Sequence, residues 1–326
     1  MKYNYNDLEI IILTFNRAEY LEQTLTSICN QTAKGFKITV FDNGSTDNTP
    51  QTVEKFASYG VELNRNEKNS GSLENFKKAQ LLASKEWTMV FHDDDLLHPE
   101  YIETAFKFIN KYDNIALIST SYRDYENPTN EGWKALSQKA YYCKDIRELA
   151  ALLYSGISYN FAATIYRTDF FKKTNPEYEI YGKVSDRPFV LDVAKNGCSI
   201  VLKDRYVRYR IHAGQDTSDS KSGPFINEII ALNRKYHEIL GDSIFSPYGR
   251  VFIARNYKLL FQGYSWFKNN NRISLESFFD ECIEKSAATR LSILFGKIRK
   301  HPLMVILRIL SYPVLSKKFN FVHPRN

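Results

Sequence analysis

"LEIIILTFNRAEYLEQTLTSICNQ", residues 8–31, sets the reading of the whole chain. It opens with a continuous apolar run, "LEIIILT" (8–14), rich in β-branched side chains. Such a run suits a strand covered on both faces, as in a parallel sheet. Downstream, Leu21, Leu25 and Ile28 recur at helical spacing, predicting a helix over 17–31 with Asn16 as its N-cap. A buried strand that turns sharply into a helix is half of a βαβ unit.

The half-unit recurs. "FKITVFD" (36–42) predicts a second strand, "NGSTDNT" (43–49) a turn, and Thr49-Pro50 the start of a helix through Phe56. "VELNRN" (61–66) predicts a shorter strand, and "NSGS" (69–72) a turn into a helix over 73–84. "WTMVFHD" (87–93) predicts a fourth strand, followed by a helix from Pro99 to about Tyr112 and a fifth strand over 114–122. Farther on, the spacing predicts a helix over 145–156, a strand over 161–167, a helix over 185–197 ended by Gly197, and an extended stretch over 198–212. A polar loop at 213–223 leads into helices. The fold class is α/β, with ligands expected at the carboxyl edge of the sheet. Asn16, Arg17, Asp42 and Asp93 to Asp95 all fall at that edge.

The chain of 326 residues fits one large domain, or one domain with a smaller attachment. The apolar share of 43% and charged share of 25% are ordinary globular values. Cys29, Cys143, Cys198 and Cys282 form no CxxC pair, so neither a cysteine metal site nor a disulfide framework is supported. A reduced cytosolic setting is expected. The start lacks a long apolar signal core, and no uncharged apolar run reaches the roughly 18 residues of a membrane span. The net charge of +7 is concentrated in the tail, where nine Lys and Arg follow Glu284 and no acid does. That distribution argues against a broad nucleic-acid face.

In "MVFHDDDLLHPEYI" (89–102), three aspartates stand behind an apolar strand. Clustered carboxylates at a strand end suit a hard divalent cation, Mg²⁺ or Mn²⁺, that shares a substrate's phosphate oxygens. Neither a GxxxxGK[ST] loop nor a GxGxxG fingerprint occurs, which removes several common α/β functions.

"IIILTFNRAEYLEQTLTSICNQT", "ITVFDNGSTDNT", "NSGSLENFKKA" and "MVFHDDDLLHPEYI" together resemble, in order and spacing, the family 2 glycosyltransferases. The resemblance is close over about residues 8–110 and looser to about 220. It implies a GT-A-type, Rossmann-like sheet, mixed but mainly parallel, flanked by helices. It further implies a nucleotide-sugar half over 1–112, an acceptor half over 113–220, and a helical C-terminal region over 221–326. Thr14, Asn16 and Arg17 lie where the family begins its nucleotide pocket, and Asp42 where a carboxylate accepts from uracil. Asn69, Gly71 and Asn75 match the donor-side N-x-G-x-x-x-N segment. Asp93, Asp94 and Asp95 match the DxD-like motif, with Asp95 and Asp93 as metal ligands and Asp93 and Asp94 facing the donor. The implied chemistry is metal-dependent, inverting transfer from a nucleotide-diphosphate sugar, expected to be UDP-linked. The acceptor is a glycan or lipid-linked chain of surface-polysaccharide assembly.

The family's acceptor-activating carboxylate usually sits in a Glu-Asp pair at a helix start. "YGKVSDRPFVLDVAKNG" carries Asp186 there, with Ser185 in place of the Glu. Asp186 is the candidate general base, with helix capping as the plain alternative. Asp192 is the fallback, expected on a solvated face. In "YVRYRIHAGQDTS" (206–218), His212 is a candidate metal or diphosphate contact and Arg210 a candidate phosphate partner. His92 reads as a neighbour of the acid cluster and His98 as helix-start surface.

The stretch 289–319 mixes apolar residues with Lys and Arg around Pro302. It reads as a basic amphipathic tail, predicting either contact with an anionic membrane surface or a docked or dimer-forming helix. The expected location is the cytoplasm, at the inner face of the membrane if the tail meets lipid. Two rival functions stay open: a sugar nucleotidyltransferase, and a non-catalytic glycosyltransferase-like partner subunit.

Overall fold

The computed structural model describes residues 2–125, 132–133, 136–212, 226–243, 245–253 and 321–322. The element order is β1 (Leu8–Thr14), α1 (Ala18–Cys29), β2 (Lys37–Asp42), α2 (Thr49–Glu54), β3 (Val61–Arg65), α3 (Ser72–Leu82), β4 (Trp87–His92), β5 (Leu96–Leu97) and α4 (Tyr101–Lys111). There follow β6 (Ile115–Tyr125), β7 (Ala140–Cys143), α5 (Ile146–Tyr154), β8 (Ile165–Arg167), α6 (Thr168–Lys173), α7 (Tyr178–Tyr181), α8 (Asp186–Val193), β9 (Cys198–Arg210), α9 (Ile226–Leu240) and β10 (Phe321–Val322). The basic tail and the loop at 213–223 lie outside the described residues.

The strands form one mixed sheet in the order β10-β7-β9-β6-β8-β4-β1-β2-β3, with β5 paired to β9. β1, β2, β3 and β4 are parallel, as is the long β6–β9 pair. β7, β8 and the two-residue strands run antiparallel to their neighbours. The apolar run of β1 is explained by burial on both faces. Ile10 and Ile12 join a cluster with Leu21, Leu25, Ile28 and Phe106, while Ile11 joins Val90, Leu149, Phe189 and Tyr236 on the other side. Each of these isoleucines is fully buried, which contributes about 2 kcal/mol apiece.

Several local expectations change. Asn16 does not cap α1. It takes a left-handed conformation, φ 52°, which asparagine tolerates better than most residues. The cap comes from Asp47, whose Oδ2 accepts from Ala18 N at 3.0 Å while Oδ1 accepts from Thr49 N at 3.0 Å. One carboxylate therefore serves the starts of α1 and α2, a link across 29 residues that local pattern does not reveal. The strand expected over 161–167 is confined to Ile165–Arg167, because Asn160 Oδ1 accepts from Ala163 N and bends the chain before it. The α4 helix starts at Tyr101 instead of Pro99. His98 is not surface but buried, edge-on to Trp133 and Tyr206. Gly44, at φ 77°, lets the β2–α2 turn pass the 66–71 loop, since a Cβ would lie 2.7 Å from the Lys68 carbonyl carbon.

Candidate functional site

In-register pairing of parallel strands puts Thr14 beside Asp42 and Leu13 beside His92. The loops after β1, β2 and β4 therefore open at one carboxyl edge. The first two are zipped together: Asn16 N donates to Ser45 Oγ at 2.8 Å, and Asn16 Oδ1 accepts from Thr46 N at 2.7 Å. Asp42 is fully buried. Its Oδ1 accepts from Ser45 N at 2.9 Å. Its Oδ2 forms an ion pair with Arg65 Nε at 3.1 Å but accepts no hydrogen bond among the described residues.

Asn69, Gly71 and Asn75 meet the same edge through Asn43. Asn43 Nδ2 donates to Asn69 Oδ1 (2.8 Å) and to the Gly71 carbonyl (3.1 Å), and Asn43 Oδ1 accepts from Ser70 N (3.0 Å) and Asn66 Nδ2 (2.9 Å). Asn75 Nδ2 donates to the Phe41 carbonyl at 3.1 Å. The asparagines thus hold the loop before α3 against the end of β2. Asn43, Ser45 and Arg65 were not singled out from the sequence. The "DNGS" turn was a signal for the first two, whereas Arg65 is identified only by strand register.

The three aspartates behave differently. Arg17 Nη1 donates to Asp93 Oδ1 at 3.1 Å and to Asp94 Oδ2 at 3.0 Å. His212 Nε2 is 3.1 Å from Asp94 Oδ2. Arg210 is buried between the rings of Tyr20 and Tyr125, with its guanidinium centre 4.6 and 4.9 Å from their centroids. Its Nε donates to the Asp94 carbonyl, its Nη2 to Gln23 Oε1, and its backbone N to Asp95 Oδ1 at 3.0 Å. Asp93 and Asp94 therefore have cationic partners within the protein. Asp95 Oδ2 is buried with no hydrogen-bond partner and lies 4.0 Å from His92 Nδ1. Burial pushes the Asp95 carboxyl up to about 7, the Asp94 and Asp93 charges add to that, and His92 opposes it. Burial also raises Asp93, against the pull of Arg17.

His92, Asp94 and Asp95 offer ligand atoms that all lie within 4.8 Å of one another. Two carboxylates, one with an orphaned oxygen, and an imidazole fit a divalent cation that keeps positions for phosphate oxygens. This set overlaps the sequence expectation only at Asp95. Asp93 is turned to Arg17, His212 reaches the cluster through Asp94, and His92, read as a neighbour, supplies an atom of the group.

Asp186 is the first residue of α8, and its Oδ1 accepts from the adjacent Arg187 N at 2.8 Å. Burial raises its carboxyl; Arg187 and the His92 imidazole lower it, so Asp186 and the acid cluster share one electrostatic environment. Helix α8 is anchored by Phe189, whose ring packs 5.6 Å from Phe76 of α3 and 5.6 Å from Phe171. Asp192 is not on a solvated face. It is tied to Lys235 (2.5 Å) and Lys195 (2.7 Å).

A mixed sheet of this topology, flanked by helices, is of the GT-A type. The glycosyl transferase family 2 profile matches residues 9–174, just over half of the sequence. The chain belongs to glycosyl transferase family 2. An uncharacterized glycosyltransferase of Haemophilus influenzae is 26% identical, covering 65% of this chain and 67% of that protein. The poly(ribitol-phosphate) beta-N-acetylglucosaminyltransferase TarP of Staphylococcus aureus is 26% identical over 62% of each chain. Among solved structures, S. aureus TarS 1–349 in complex with UDP-GlcNAc has a TM-score of 0.61 at 18% identity, covering 94% of this chain and 89% of that one. A Pyrobaculum calidifontis mannosyltransferase in complex with GDP-Man and Mn²⁺ has a TM-score of 0.52 at 13% identity, covering 97% and 87%. These structures share the fold.

Proposed function

We propose that this glycosyltransferase moves a sugar, with inversion, from a UDP-linked donor to a glycan or lipid-linked acceptor of a surface polymer, using Mn²⁺ or Mg²⁺. What supports this reading is the strand register that sets Asp42 and the end of β4 at one sheet edge, together with the electrostatic pull of His92 on Asp186. Asp42 Oδ2, paired with Arg65 but accepting no hydrogen bond among the described residues, suits the N3–H of uracil, a donor that adenine and cytosine lack at the matching edge. His92, Asp94 and Asp95 would hold the cation, which when bound neutralises charge growing on the diphosphate leaving group. Asp186 takes the acceptor hydroxyl proton as that oxygen attacks the anomeric carbon and the bond to the diphosphate breaks. Arg17 and His212 hold Asp93 and Asp94 in place around the donor. Residues 1–112 supply the donor side in this reading, and 113–220 the acceptor side.

TarP's name gives it a poly(ribitol-phosphate) substrate, which supports surface-polymer assembly as the setting here. Among the described residues no helix is long and apolar enough to cross a membrane. We place the basic tail at the membrane surface, where lipid-linked acceptors reside. Vesicle flotation of the full chain against a version truncated after Glu284 tests this, and equal partitioning would argue against it.

The test of the central reading is a calorimetric titration of UDP- and GDP-sugars with and without Mn²⁺. Tight, Mn²⁺-dependent binding of a UDP-sugar, lost in Asp42→Ala and Asp95→Asn, is expected. Binding that ignores both the metal and these substitutions would overturn it.

A further inference from the structure

A general base has to present its carboxylate to the attacking hydroxyl in one orientation. Asp186 opens α8, and its own helix supplies a single contact, the Arg187 backbone N–H donated to Oδ1 at 2.8 Å. The rest of its support comes from two buried tyrosines and a cation. Tyr159, in the loop between α5 and β8, turns its hydroxyl to the Asp186 carboxylate. The Arg187 guanidinium stands over the Tyr159 ring, 5.9 Å from its centroid. Tyr236 of α9 turns its hydroxyl in turn to that guanidinium. Neither hydroxyl reaches full hydrogen-bond alignment, and contacts of this kind tighten when substrate binds.

Packing alone does not account for these residues. Phenylalanine would fill both places with the same ring and no polar atom to desolvate. Burial holds both phenols above their usual range, so each keeps its proton to donate. A proton donated to a carboxylate favours its charged form, the form that accepts from an attacking hydroxyl. The supports are themselves fixed. Asn160, the neighbour of Tyr159, donates its N–H to the Thr120 carbonyl at 2.7 Å, and its carbonyl accepts from Thr164 Oγ1 at 2.8 Å. Helix α9 holds α8 at both ends, through Tyr236 at Arg187 and through Lys235 at Asp192, 2.5 Å away.

We infer that Tyr159 and Arg187 are positioning residues for Asp186, and that Tyr236 couples α9 to them. This rests on the reading of Asp186 as the base.

The experiment has two arms on the full chain. In the first, the carboxyl carbons of ¹³C-labelled aspartate are titrated by NMR, with the Asp186 signal identified by its loss in Asp186→Asn. Tyr159→Phe keeps the ring and should raise the Asp186 midpoint by about one pH unit, because the charged form loses a donor. Arg187→Gln should move it the same way from the other side of the carboxylate. Tyr166 of β8, Tyr236 of α9 and His92 of β4 also act on Asp186 and are unchanged in both variants. In the second arm, UDP release from UDP-GlcNAc with Mn²⁺ is followed, with water as the attacking hydroxyl. Tyr159→Phe should lower kcat at least about fivefold with KM unchanged, and should have no further effect in Asp186→Asn. A midpoint that stays in place in both variants while Asp186→Asn loses turnover strikes the inference alone. Wild-type turnover by Asp186→Asn strikes the base reading and the inference with it. The NMR arm needs no substrate, so it decides the matter even if UDP-GlcNAc is not the donor.

Discussion

Asp95→Asn should make the metal-free protein more stable while destroying its response to metal. The side chain is fully buried, and Asn preserves the acceptor that receives the Arg210 backbone N–H. What changes is the charge on Oδ2, which has no hydrogen-bond partner. Burial and the adjacent aspartates raise the carboxyl from 3.8 to about 7. At 1.36 kcal/mol per pH unit this corresponds to about 4 kcal/mol against the folded state once the group is ionised, and about half of that survives local relaxation and water entry. The folded-state value lies above the unfolded one. The stability contributed by the protonated carboxyl is therefore complete below about pH 4 and is lost as pH climbs to about 7. In EDTA at pH 8, Asp95→Asn should melt about 3 °C above the wild type, and at pH 4 the two should coincide. Mn²⁺ should raise the wild-type melting temperature at pH 8 and leave Asp95→Asn unmoved. Scanning calorimetry across pH, with and without Mn²⁺, reads all of these. An Asp95→Asn protein that is no more stable than wild type at pH 8, or one whose advantage is the same at pH 4, would refute the account of Asp95.

Other outcomes follow from the same geometry. Asp186→Asn should reduce transfer by about 10²–10⁴-fold with UDP affinity unchanged, as read by product formation beside calorimetry. Because burial raises the Asp186 carboxyl, the rise of transfer rate with pH should lie above the ordinary aspartate range near 4, and a limb at or below it in a pH–rate profile would count against Asp186. Asp47→Ala removes the cap shared by α1 and α2 and should cost about 1–2 kcal/mol in urea unfolding, a loss that Asp47→Asn recovers in large part. Lys235→Met leaves Asp192 and Glu177 without their shared cation, so it should destabilise by about 2–3 kcal/mol, more at pH 8 than at pH 4 where the acids protonate.

The parallel half of the fold was legible because its information is local. β1 and β4 are buried on both faces, so they read as unbroken apolar runs, and the helices between them read as a repeat of 3.6. The short antiparallel strands were not legible. β5 and β10 contain two residues each and exist only because β9 and β7 offer backbone partners. Two residues carry no period.

The site divides in the same way. Which residues lie at the carboxyl edge follows from chain order alone, since every parallel strand ends there, and Thr14, Asp42 and the three aspartates could be named from their places after strands. Which atom of which aspartate stays without a partner depends on side chains from distant segments. Arg17 binds Asp93 and Asp94 from 76 and 77 residues away, and Arg210 binds Asp95 from 115. The helix cap given to Asn16 passed to Asp47 for the same reason, because a carboxylate across the turn reaches the first N–H of α1. Pattern along the chain determines the edge at which chemistry gathers; contacts between far-separated residues decide charge, hydrogen-bond partner and ligand, because those are properties of packed neighbours and not of sequence neighbours.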